Sequence, residues 1–119
     1  MIEVLLTAAF LVFTTSAILM LFANCIFLNA SNRALTTATS HAQRVMEEIR
    51  GTNFSSIPSG DWDWDTAQIE TKGLNALTNE SITTTITGTT LLNVVVEVKW
   101  EGRSRRDKEV ILETLFAEL

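Results

Sequence analysis

Charge is missing from residues 4 to 32, and neither glycine nor proline occurs before Gly51. The first absence removes whatever would hold this segment in water. The second removes the usual helix breakers. A run of roughly 20 apolar residues is enough to cross a bilayer as a helix. Ile2 to Leu28 is mostly Leu, Ile, Val, Phe and Ala, relieved by Thr7, Thr14, Thr15, Ser16 and Asn24. Hydroxyls can bond back to their own helix, so these residues need not break it. A second cysteine is also missing. Cys25 stands alone inside the apolar run, which excludes an intrachain disulfide and leaves it as a small packing residue. A basic excess is missing too. Nine Lys and Arg against 14 Asp and Glu give a net charge of −5. A general nucleic-acid binder would carry a broad basic face, so no nucleic-acid partner is expected.

The apolar run lacks the marks of a cleaved secretory signal. No Lys or Arg precedes Arg33, and no small-x-small cleavage site follows the run. A lipoprotein signal ending at Cys25 would put Asn24, a poor residue there, before the lipidated cysteine. Residues 1–28 are therefore expected to stay as a single membrane-spanning helix. Glu3 is the exception to its apolarity. A carboxylate is costly in lipid, by about 2.5–3.5 kcal/mol at the centre of a span and less near its end. A group retained against that cost usually has a partner. Orientation is not set by charge, although Arg33 weakly favours its own side as cytoplasmic.

Residues 29–50 continue the helix in amphipathic form. Leu35, Ala38, Ala42, Val45 and Ile49 follow a 3-4-3-4 spacing, and Met46 widens the stripe. Asn32, Arg33, Gln43, Arg44, Glu47 and Glu48 occupy the other faces. Such a stripe needs a surface to pack on. It is too short, and lacks the ordered e/g charges, for a coiled coil. Gly51 after Arg50 marks the helix end.

The remaining ~85–90 residues make one small domain, near the lower limit for a self-sufficient core. Residues 51–80 read as an irregular connection rich in turn formers, among them Gly51, Asn53, Ser55, Ser56, Pro58, Ser59 and Gly60. In Asp61-Trp62-Asp63-Trp64-Asp65 the alternation puts both tryptophans on one side. They either cover the edge of a small core or make an exposed contact with another subunit. The aspartates do not form an EF-hand, because Thr66 and Lys72 stand where its glycine and glutamate belong.

Residues 81–119 read as an antiparallel sheet. Ile82, Thr84 and Ile86 alternate with polar residues, as do Val94, Val96, Val98 and Trp100. Residues 108–117 form a third run with less clean alternation. Sequential strands with short links imply a meander, with one face free to pack on the helix stripe. The fold class is α+β, one long N-terminal helix packed on a small C-terminal antiparallel sheet. Arg103, Arg105, Arg106 and Lys108 cluster at the turn before the last strand. They form either a solvated loop tip or a contact with an acidic neighbour.

No catalytic, metal or cofactor constellation is legible. His41 is the only histidine and falls on the helix, with apolar Ala38 and Val45 at i−3 and i+4. It reads as an ordinary, partly buried residue.

The opening Ile2-Glu3-Val4-Leu5, the helix end Ala42-Gln43-Arg44-Val45-Met46-Glu47-Glu48-Ile49-Arg50 and the strands at Val94–Trp100 and Val110–Leu115 together resemble a type IV pilin-like protein. The likeness is to minor pilins and pseudopilins, of the PilV-like kind or the I-type subunit of type II secretion. The resemblance implies a non-catalytic subunit held in the cytoplasmic membrane before assembly. Its helix would then build an extracytoplasmic or cell-surface filament. It implies other pilin or pseudopilin subunits, a prepilin peptidase and an assembly platform as partners. It also implies the role of Glu3, whose carboxylate would meet the N-terminal amine of a neighbouring subunit. Family chains normally carry two further residues, after a leader ending in glycine, before the position of Met1. The codons upstream of Met1 are expected to supply them. The rival expectation, from another class, is a membrane-anchored binding domain that never polymerises and presents Trp62, Trp64 and the basic turn.

Overall fold

The computed structural model describes residues 1–102 and 105–118. Helix α1 runs unbroken over Ile2–Arg50, with Glu3 in its first turn and Arg50 in its last, where each opposes the nearby end of the helix dipole. Gly51 N–H still bonds Glu47 C=O (3.0 Å), and Thr52 N–H then reaches back only three residues to Ile49 C=O (3.0 Å), which closes the helix. The chain divides into two compact units, residues 1–33 and 34–119, and the division falls within α1.

The first unit is helix alone. Its side chains are exposed all round, and it is long and apolar enough to cross a membrane. Its hydroxyls are spent inside the helix. Thr7 Oγ1 donates to Glu3 C=O (2.7 Å), Thr15 Oγ1 to Leu11 C=O (2.9 Å) and Ser16 Oγ to Val12 C=O (2.8 Å); Thr14 Oγ1 bonds Phe10 C=O in the same way. A hydroxyl so satisfied can face hydrocarbon without a lost hydrogen bond.

The second unit holds the rest of α1, a 3₁₀ turn at Phe54–Ser56, helix α2 (Thr66–Thr71) and strands β1 (Ser81–Thr87), β2 (Leu91–Glu101) and β3 (Asp107–Ala117). The strands form an antiparallel meander in the order β1-β2-β3. Ile82 lies opposite Val98, and Val98 opposite Val110, so apolar side chains line up across one face. At the β1–β2 link Gly88 has φ +105°, and a Cβ there would lie 2.0 Å from Leu91 O, so no other residue fits without moving the backbone.

The core lies between that sheet face and α1. It comprises Ala38, Ala42, Val45, Met46 and Ile49 from the helix, Ile82 from β1, and Leu92, Val94, Val96, Val98 and Trp100 from β2; Ile57, Trp64 and Ile69 close its margin. Central β2 is buried on this face throughout, whereas edge strand β3 contributes only the half-buried Val110, Leu112 and Phe116.

Two expectations need correction. Leu35 is 48% exposed, although its angle on the helix suits the stripe. It stands a turn before Ala38, the first fully buried helix residue, beyond the reach of the core. The connection 51–80 is not wholly irregular, because α2 interrupts it. Asp65 caps α2 through a capping box: its carboxylate accepts from Gln68 N–H (2.8 Å), and Gln68 Oε1 accepts from Asp65 N–H (2.9 Å).

Truncating Ile82 to alanine leaves a cavity in this core and is expected to cost about 2–5 kcal/mol. Ile111→Ala, on the exposed face of β3, is expected to change stability by no more than about 0.5 kcal/mol. Hydrogen exchange of the β2 amides in the detergent-solubilised chain measures both. Equal losses would mean that the core is misplaced.

Candidate assembly site

Glu3 sits one residue inside α1, between the exposed side chains of Ile2 and Val4. It borders a shallow groove with Val4, Thr7, Ala8 and Leu11. Among the described residues its carboxylate accepts no hydrogen bond and joins no ion pair, and the Thr7 hydroxyl goes to its backbone carbonyl instead. The side chains around Glu3 are mostly apolar.

The other candidate residues lie in the second unit. Ala38, Ala42, Val45 and Ile49 of the helix stripe are wholly buried under the sheet. Trp64 is 4% exposed and forms an isolated antiparallel bridge with Ile82, so its backbone as well as its ring closes the core. Trp62 is half-buried and its Nε1 donates to Ile57 C=O (2.9 Å). The Lys72 ammonium lies 4.3 Å from the centroid of the Trp64 ring and 3.1 Å from Glu48 Oε2, so that ring already has its cation. Arg105 and Arg106 are exposed, and Arg105 takes φ +54° within a turn closed by Gly102 N–H to Arg106 C=O (2.8 Å). Arg103 lies outside the described residues.

The three aspartates that flank the tryptophans have separate local tasks. Asp61 Oδ1 accepts from Asp63 N–H (3.2 Å), Asp63 Oδ1 from Thr84 N–H (2.8 Å), and Asp65 caps α2. On the outer sheet face, a side-chain hydrogen bond shared with Glu109, and then Lys99, 3.2 Å away, hold the Glu97 carboxyl below its ordinary value. Among the described residues no three His, Cys, Asp or Glu side chains converge as a metal site requires.

Sequence reasoning missed one polar centre. His41 is buried, not partly exposed, and its Nδ1 lies 2.6 Å from Glu80 Oε1, itself 1% exposed. Glu80 Oε2 accepts from Leu77 N–H (2.9 Å), and Thr66 Oγ1 donates to the Glu80 backbone carbonyl (2.8 Å). With the carboxylate as acceptor, Nδ1 carries the hydrogen. This cluster joins α1, α2 and the approach to β1 at one point. Both carboxylate oxygens are engaged within the fold, which makes the cluster a clasp. No signal in the sequence links residues 39 positions apart.

Comparison with protein-family models, with curated proteins and with solved structures returns no match.

Removing one member of a buried pair strands the other. Glu80→Ala is expected to destabilise the second unit by about 3–5 kcal/mol. Glu80→Gln keeps an acceptor for Leu77 N–H and is expected to cost clearly less. Pulse proteolysis of the full chain in detergent ranks the two, and equal costs would remove the clasp.

Proposed function

We propose that this chain is a structural, non-catalytic subunit of a type IV pilus or type II secretion-like filament, a minor pilin or pseudopilin. One observation carries the proposal: Glu3, a carboxylate with no partner among the described residues, on a mostly apolar helix surface. In a bundle of such helices an unpaired carboxylate is intolerable, and an N-terminal amine from a neighbouring subunit would satisfy it. The pair would form only in the polymer, so it would set the axial position of each subunit.

The division of labour along the chain supports this reading. The first unit exposes apolar side chains in every direction, as a segment that trades lipid for other helices must. The core cluster of the described residues lies within the second unit. Before assembly the subunit would span the cytoplasmic membrane once, with the sheet on the extracytoplasmic side. A prepilin peptidase and an assembly platform would be its processing and docking partners.

Glu3→Ala is expected to reduce incorporation into sheared filaments roughly tenfold or more, in line with a charged hydrogen bond worth about 1.5–3 kcal/mol. Membrane insertion of the variant is expected to be unchanged. Normal incorporation would overturn the mechanism. Cross-links between helices at residues 4–20 in membranes are also expected, whereas a persistent monomer would favour an anchored, non-polymerising domain.

A further inference from the structure

Most polar groups of the first unit share one side of the helix. At about 100° per residue, Thr7, Thr14 and Cys25 fall within about 40° of Glu3, and Asn24 within about 60° on the other flank. Thr15 and Ser16 lie off this side. The four hydroxyls are spent on carbonyls of their own helix. Asn24 differs. It is exposed, and among the described residues its carboxamide makes no hydrogen bond.

The membrane span of the proposed function, on which this inference rests, gives Asn24 a definite depth. Glu3 and Arg33 bound the uncharged stretch. They lie about 45 Å apart along a straight helix, close to the ~40–45 Å of a bilayer with its headgroups. With each charge in its headgroup layer, Asn24 lies about 9 Å from the midplane, inside the ~30 Å of hydrocarbon. A bare amide there costs free energy until it finds a partner.

Asn24 is its own complement. A carboxamide offers two N–H donors and one carbonyl acceptor, so each of two copies can donate to the Oδ1 of the other. Parallel chains related by rotation about the bilayer normal present that group at the same depth. The spacing fits such a pair. Steps of three and four residues lead from Thr7 through Phe10, Thr14, Ala17 and Leu21 to Asn24, the repeat of a left-handed helix pair. Thr7, Thr14 and Ala17 are small enough to let two helices approach closely.

We propose that two copies of this chain pair in parallel through this face before assembly, with Asn24 bonded to Asn24 of the second copy across a two-fold axis along the bilayer normal. That axis keeps both chains the same way up in one membrane. The two Glu3 side chains meet at the far end of the seam, in the headgroup layer, where water and salt screen them. Their residual repulsion keeps the pair weak enough to open. The two helices are level, so the pair needs no amine from a neighbour.

Oxidative trapping reads the face. The full chain, in a Cys25→Ser background, is reconstituted alone in phosphatidylcholine vesicles. Thr14→Cys and Leu21→Cys lie on the seam and are expected to give several-fold more covalent dimer than Val12→Cys and Leu19→Cys on the opposite side. All four positions are exposed on the helix, so the second unit should tolerate each change. Energy transfer between labelled full chains reads the affinity. Asn24→Leu is expected to weaken pairing about three- to thirtyfold. Glu3→Ala is expected to pair at least as well as the parent, although it fails to enter filaments, which separates the pair from the filament role. Equal trapping on both sides, or an Asn24→Leu chain that pairs as tightly as the parent, would overturn the proposal. A parent chain that stays single would do the same and would assign Asn24 to a different helix. Retention after an alkaline wash of the same vesicles reads the span separately, and a chain that washes off overturns span and pair together.

Discussion

The second unit depends on the packing of α1 side chains against the inner face of β2. Ala38 and Ala42 are fully buried at the start of the helix stripe. Val45 and Ile49 then fill the space against Val94, Val96 and Val98. No disulfide or described metal site assists, so apolar contact does most of the work of holding some 85 residues together, near the lower limit for a self-sufficient core. The polar clasp of His41 and Glu80 fixes where the loop meets the helix, and its desolvated carboxylate is acceptable because both oxygens are used.

Much of the architecture is written locally. The helix follows from the lack of glycine and proline before Gly51, and the three strands follow from alternation with period two. Short links between those strands leave the meander as the simplest pairing. Glu3 stands out for an equally local reason, since 29 uncharged residues follow it. What escapes the sequence is tertiary. Leu35 has the right angle on the helix but falls outside the packed body. Helix α2 is only six residues long, and its capping residue Asp65 is disguised as the last member of an Asp-Trp alternation. His41 looks ordinary because its partner lies far along the chain, in a stretch that reads as loop.

The segment at residues 61–65 shows how a short run can serve several neighbours. Its tryptophans close the core and its aspartates satisfy backbone donors, one of them on β1. A strand with that cover offers little to another chain.

The placement of the three indoles has an optical consequence. Trp62, Trp64 and Trp100 all belong to the second unit, and there is no tyrosine to compete with them. Ultraviolet emission from the intact molecule is thus silent about the apolar first unit and reports on the second unit alone. Loss of tertiary order around the core can be watched without a signal from the N-terminal half of α1.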